Sequence, residues 1–202
     1  MNGSSVLHYN DLAQRVRAHI GQDHRYAHTV RVARCADVLA HVHRLSSSKA
    51  RLAGMLHDLA RLYPAPRLIA ECELRGLKID AFERENPVVL HARLGAELAK
   101  EQFSVRDSDV LSAIAKHTVA DATMSPMDCV LYLADGLEPG RHFEGRAEHW
   151  ALALVDLRAA MRATLESTLV YLHRKGIAVA PQTAAAALSF GLHPIGGLPS
   201  LN

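Results

Sequence analysis

A chain of 202 residues that is 49% hydrophobic can bury a sizeable core, and with only 5% aromatic residues that core must be aliphatic. A formal net charge of +2 gives no charge-based reason to expect a nucleic-acid or membrane partner. Three cysteines without a CxxC pair exclude a disulfide framework and a thiolate zinc site, and suit a reducing, cytoplasmic setting.

In chain order, the opening stretch MNGSSVLHYNDLAQ has no apolar signal region, and no apolar run reaches the ~18 residues of a membrane helix. From there the periodicity is helical almost throughout. Asn10 can cap a helix over residues 11–20 that Gly21 stops. Asp23 can cap a long second helix reaching Leu45, with Ala27, Val30, Ala33, Val38, Val42 and Leu45 as one apolar stripe. The three serines at 46–48 break it and cap a third helix, which runs through His57 and Asp58 to Tyr63 and stops at Pro64. Pro66 opens a short helix closed by Gly76, and residues 77–87 read as a polar connector with a single helical turn.

Helices are then expected from Val88 to Phe103, from Asp107 or Ser108 to His117, and from Pro126, with Ser125 as its cap, to Gly136. Glu138-Pro139-Gly140-Arg141 reads as a tight polar turn. A long helix spans about residues 146–175, Pro181 opens an Ala-rich last helix, and the chain from Gly191 onward reads as a loose tail. With no repeat and no dividing linker, the expectation is one all-α domain. Its helical-bundle core covers about residues 9–176, and its C-terminal end holds a long helix, a further helix and the tail.

The thirteen histidines invite a search for metal ligands. Most, namely His8, His19, His24, His41, His43, His142, His149, His173 and His193, sit in polar settings and read as solvated. Six His and Asp residues do not: His28, His57, Asp58, His91, His117 and Asp135 all lie among aliphatic neighbours. Singly, each has an ordinary explanation. His28 or His57 can be a core histidine bonded to a carbonyl, His91 a first-turn surface residue, and Asp58 an exposed carboxylate. His117 can complement the negative end of its helix, and Asp135 can merely precede a turn. Together, four imidazoles and two carboxylates from separate helices suit a two-metal site with nitrogen and oxygen ligands, open to iron, manganese, cobalt or zinc. Arg25, Arg31 and Arg61, the last on the face of His57, stand near them, with Arg141 in its Pro-Gly turn. Guanidinium groups there suit phosphate oxygens, although surface arginines paired with carboxylates would look the same.

The order of these residues resembles the H…HD…D signature of the HD superfamily of metal-dependent phosphohydrolases. The closer resemblance is to the bacterial YqeK-type family of symmetrical diadenosine tetraphosphate hydrolases. It rests on Arg25-Tyr-Ala-His28-Thr-Val-Arg31, Ala53-Gly-Met-Leu-His57-Asp58-Leu-Ala-Arg61, and His91 with Gly95-Ala-Glu. It continues in Ala113-Ile-Ala-Lys-His117-Thr118, Tyr132-Leu-Ala-Asp135-Gly-Leu-Glu138-Pro-Gly-Arg141, Tyr171-Leu-His-Arg-Lys-Gly176 and Pro181-Gln-Thr183. The chain departs from the family at Val119-Ala120-Asp121, Ala92 and residues 184–187, none of which is among the six ligand positions.

The resemblance implies a helical HD-domain fold and two divalent or mixed-valence metal ions, iron first. By analogy His28, His57, Asp58 and Asp135 hold one ion, and Asp58, His91 and His117 the other. The implied chemistry is metal-activated water attacking a central phosphoryl group of diadenosine tetraphosphate to give two ADP, with Asp58, Arg61 and Arg141 as the catalytic set. Arg25, Arg31, Arg61, Arg141, His117 and Thr118 would contact substrate. The partners expected are the dinucleotide and ADP, no nucleic acid and no membrane, with a homodimer left open. Two other readings stand beside it: an HD phosphatase of nucleoside mono- or triphosphates, and a catalytically silent helical module that binds a nucleotide or protein.

Overall fold

Small residues set how closely the helices of this chain approach one another. The computed structural model describes residues 9–192, and among them the chain forms eleven α-helices, one 3-10 turn and no strand. The all-α expectation therefore holds. The helices are α1 (Tyr9–Ile20), α2 (Asp23–Val42), α3 (Ser47–Leu56), α4 (Ala65–Leu74), α5 (Ala81–Glu85), α6 (Leu90–Phe103), α7 (Ser108–Lys116), α8 (Pro126–Leu137), α9 (Arg146–Ala153), α10 (Leu157–Lys175) and α11 (Pro181–Ser189). The 3-10 turn, Pro87–Val89, leads directly into α6.

Helices α2, α3, α6, α7 and α8 pack against one another as the central bundle, with α10 laid over α8 and α9. α8 is buried on nearly all sides, from Met127 to Ala134, which is why its sequence is apolar without a polar face. Leu39, Leu56, Leu90, Leu94, Ile114, Leu131 and Leu133 are wholly enclosed, each contributing about 1.5–3 kcal/mol by leaving water. α2 and α3 approach closely. A Cβ on Gly54 would lie 2.6 Å from the Cα of Ala33, so only glycine fits there.

The buried face of α2 differs from the expected stripe. Val38, Val42 and Ala27 are exposed, and the inner positions are Val32, Ala33, Ala36, Leu39 and Ala40 with His28, Thr29 and Cys35. Alanines carry little hydrophobic weight in the sequence, yet they are what lets α3 and α8 close on this helix. Its N-cap is Gln22, without a side-chain cap bond. Asp23 lies one residue inside and pairs with Arg17 at 2.8 Å. Asn10 likewise falls within α1, which begins at Tyr9.

α2 stops at Val42 rather than at Leu45, and two further expected helices are shorter than their sequence patterns. The third begins under a Ser46 cap but ends at Leu56, and residues 57–62 continue as tight turns. Arg61 N donates to Asp58 O at 3.0 Å and Tyr63 N to Ala60 O at 3.1 Å. The helix over 146–175 is two helices, separated at residues 154–156. There Asp156 accepts hydrogen bonds from the amides of Arg158 and Ala159 and restarts the chain in a new direction. The polar connector contains α5 under an Asp80/Glu83 capping box. Ser125 and Asp128 form a second box, and α8 runs one residue past Gly136. The tail expected from Gly191 falls, from residue 193 on, outside the described residues. None of the described helices is long and apolar enough to cross a membrane.

Candidate metal centre and active site

The end of a helix leaves carbonyl oxygens without intrahelical partners, and this chain uses them to aim histidines. His57, just past α3, turns Nδ1 onto Gly54 O at 2.8 Å, and His117, just past α7, turns Nδ1 onto Ile114 O at 2.7 Å. His91, in the first turn of α6, makes the same three-residue step back to Val88 O in the 3-10 turn. His28, inside α2, bonds instead to a side chain, its Nδ1 donating to Glu138 Oε1 at 3.0 Å. With all four Nδ1 atoms tied to acceptors, the Nε2 lone pairs face inward, as ligating imidazoles require.

They face Asp58. Its Oδ2 lies 3.1 Å from His57 Nε2 and 3.6 Å from His28 Nε2, and its Oδ1 lies 3.5 Å from His91 Nε2 and 3.9 Å from His117 Nε2. One carboxylate is thus shared between two pairs of imidazoles. Asp135, at the end of α8, closes the first pair with Oδ1 at 3.1 Å from His28 Nε2 and 3.9 Å from His57 Nε2. Ligand atoms form three overlapping triads, each within 4.8 Å: His28-His57-Asp58, His57-His117-Asp135 and Asp58-His91-His117. The sequence-predicted six therefore converge.

This arrangement fits metal ions and is poorly explained without them. His28 Nε2, His57 Nε2 and Asp58 Oδ2 are buried without a hydrogen-bond partner, an unusual cost for polar atoms in a core. Arg25 Nη2 stands 2.9 Å from Asp58 Oδ2, close enough for an ion pair but without hydrogen-bond geometry. The donor set of nitrogen and oxygen, with no sulfur, suits first-row divalent metals.

The charges agree. Burial opposes the ionised form of Asp58, but the charge of His57 outweighs it and holds the carboxyl well below its usual range. Asp135 is held down in the same way, against its own burial, by His28, His57 and Arg141. Burial, with His117 beside it, pushes His91 down to about 3, and burial with the charge of His57 lowers His117, so both stay neutral and free to ligate. His57 moves upward, because Asp58 and Asp135 outweigh its desolvation. The carboxylates that favour a proton there would equally favour a metal cation.

The centre opens into a cleft of about 330 Å³, whose lining also includes Arg25, Arg61, Arg141, Thr118, Tyr132 and Thr168. Thr118 Oγ1 is 3.1 Å from His91 Nε2 and 3.2 Å from His117 Nε2. Arg61 reaches the cleft, but from the turn after α3 rather than from a helical face shared with His57. Arg141 donates to both the carbonyl and the carboxylate of Asp135. Arg31 is placed differently from the sequence expectation. It does not line the cleft, and its guanidinium is paired with Glu138.

Glu138 stands directly behind His28, and sequence reasoning gave it no role. It reads as part of a polar turn, yet its carboxylate is buried against His28, Arg31 and the amide of Gly140. Burial opposes its charge, but these donors bring its carboxyl down to about 2. The available signal was its spacing, three residues beyond Asp135 and immediately before Pro139-Gly140. A Cβ at 140 would lie 2.5 Å from Arg31 Nη2 and 2.8 Å from Glu138 Oε1, so a larger residue there would have to displace this ion pair. Thr164 and Thr168, through which α10 lines the cleft, were also not singled out. Nor were the carbonyl bonds of two histidines read as solvated, His19 to Leu59 O at 2.8 Å and His43 to Ala153 O at 2.7 Å.

This helical bundle, with one aspartate facing four inward-turned histidines, is that of an HD-type hydrolase. The HD domain family model matches residues 25–140, more than half of the chain, and the chain belongs to that family. The chain is 36% identical over 164 residues to the symmetrical bis(5'-nucleosyl)-tetraphosphatase of Bacillus subtilis, covering 80% of this chain and 86% of that protein. It is 32% identical to the enzyme of the same name from Halalkalibacterium halodurans, over 85% of this chain and 91% of the other. It also superposes on the crystal structure of a predicted HD superfamily hydrolase involved in NAD metabolism from Clostridium acetobutylicum. That match has a TM-score of 0.86 and 31% identity and covers 91% and 96% of the two chains.

Proposed function

We propose that this protein hydrolyses diadenosine tetraphosphate symmetrically to two ADP, at a two-metal centre carried by one HD-type unit spanning the chain. The observation that carries the reading is the placement of Asp58, whose two oxygens face two separate pairs of histidines. His28, His57, Asp58 and Asp135 would hold one ion, and Asp58, His91 and His117 the other. Iron is the first choice, and manganese, cobalt and zinc fit the same donors. When bound, two adjacent ions supply an activated water and neutralise charge on phosphoryl oxygens.

The chain's own residues account for the rest. Arg25, Arg61 and Arg141 line the cleft on the open side of the centre, where guanidinium groups can grip a polyphosphate. Arg141 is oriented by Asp135 and by its Pro-Gly turn, so the position of a bound phosphate and that of the first ligand set are linked. Thr118 offers a hydroxyl beside His91 and His117, within reach of a phosphoryl oxygen seated there. Tyr132 and Thr168 contribute cleft wall from α8 and α10. A substrate and product of this kind are those of the cytoplasm, where we place the protein. The names of the Bacillus and Halalkalibacterium relatives support the substrate assignment.

Chromatography of the products from diadenosine tetraphosphate tests the reading. ADP as the sole nucleotide is the expected result. ATP with AMP would move the cleavage off centre. No cleavage, with orthophosphate released from a mononucleotide instead, would replace the reading with that of an HD phosphatase.

A further inference from the structure

The first turn of α11 lies outside the residues matched by the HD family model, yet it reaches both chain segments that position His91 and His117. We propose that Thr183, assisted by Gln182, is a positioning residue for the Asp58-His91-His117 half of the centre. This inference rests on the two-metal reading given above.

Thr183 is buried, and its hydroxyl donates to Val119 O at 2.8 Å. Val119 directly follows Thr118, whose own hydroxyl lies against the Nε2 atoms of His91 and His117. The next residue, Ala120, has φ 60, a left-handed backbone that a side chain bearing Cβ rarely adopts, and it is buried. Such a turn persists only when its surroundings determine it. Two bonds do so here, Ala120 N to Lys116 O at 3.0 Å from within the loop and Thr183 to Val119 O from α11.

Gln182 works on the other segment. Its Nε2 donates to Asp80 Oδ2 at 3.1 Å, while Asp80 Oδ1 caps α5 by accepting from Glu83 N at 2.8 Å. α5 leads through Asn86 into the 3-10 turn, whose Val88 carbonyl aims His91. Neighbouring residues of α11 thus steady the approaches to both histidines of the second ligand set. The helix does not need these bonds merely to dock. Ala186 and Phe190 join the core, and Arg158 Nη2 donates to Ser189 O at 2.7 Å at its far end. No comparable bond runs from α11 to Gly54, Glu138 or the other groups that set the first ligand set, among the described residues.

The experiment titrates manganese(II) into the metal-stripped full chain by calorimetry, for the wild type, Thr183→Val, Thr183→Ser and Gln182→Ala. The wild type is expected to show two binding steps. Thr183→Val should weaken one step about tenfold and leave the other unchanged, in the range found for residues that orient metal ligands. Thr183→Ser should restore it, because the hydroxyl is what is required. Gln182→Ala alters an exposed hydrogen bond and keeps the fold, so it reads the same step, weakened a few-fold, even if Thr183→Val does not fold. Two unchanged steps in Thr183→Val and Gln182→Ala, or both steps weakened equally, overturn the positioning role of Thr183. A wild type that binds a single ion overturns the two-metal reading itself, and that role with it.

Discussion

Glu138 and His28 stand 110 residues apart in the chain, and in the fold Glu138 Oε1 accepts a hydrogen bond from His28 Nδ1 at 3.0 Å. Arg31 donates to both oxygens of the same carboxylate and the amide of Gly140 to Oε2, so the ring of His28 is fixed from behind. A neutral Glu138→Gln side chain keeps the shape but lowers the electron density passed to the ring. The expected outcome is metal affinity reduced by about 10- to 100-fold with helical content unchanged, measured by competition with a chelator. Wild-type affinity in that variant would remove Glu138 from the centre.

The same carboxylate gives a pH dependence. Glu138 has a folded-state pKa of about 2, below the ordinary 4.5, because its donors outweigh its burial. A depressed carboxyl stabilises the fold above its unfolded pKa and loses that contribution as pH falls through the folded value. In metal-free protein, the stability gap between wild type and Glu138→Gln should therefore be full above about pH 4.5 and shrink toward pH 2. Denaturant titrations across that window check it, and a gap that widens in acid contradicts it.

Gly54 joins packing to chemistry. Its carbonyl accepts from His57 Nδ1, and the missing Cβ is what allows Ala33 of α2 to approach. Because the atoms in the way are backbone, they cannot turn aside as a side chain would. Gly54→Ala should cost about 1–3 kcal/mol, with a thermal midpoint several degrees lower and weaker metal retention. An unchanged midpoint would show that the two helices can part without loss.

Arg141 is half-exposed in the cleft and held by Asp135. If it grips the polyphosphate, Arg141→Ala should raise KM for diadenosine tetraphosphate by about tenfold or more, the usual scale for a hydrogen bond to a charged group. Arg141→Lys should recover only part of it, because an ammonium cannot form the paired bonds of a guanidinium. Steady-state kinetics decide this, and an unchanged KM in the alanine variant would place Arg141 in a purely structural role.

The six proposed ligand positions were legible because each sets an ionisable residue against an aliphatic background, a mismatch that survives in one dimension. Glu138 was not. It sits among turn residues, and its burial is created only when the end of α8 meets α2. The end of α3 at Leu56 was hidden because Leu59 and Ala60 continue its apolar pattern while the backbone has already left the helix. Asp156 was similarly masked by apolar residues on both sides, although an aspartate accepting two amide bonds is what divides the long helix. The face of α2 was misjudged because close packing there is built from alanine, which periodicity weighs least.

Elemental analysis of the purified protein tests the shared role of Asp58 most directly, made on the wild type and Asp58→Ala side by side with circular dichroism of both. Two metal ions per chain in the wild type are predicted. Almost none are predicted in a variant that remains helical, because the one carboxylate facing both pairs of histidines is gone. A helical Asp58→Ala that keeps two ions, or a wild type that holds none after iron or manganese is supplied, would contradict the account.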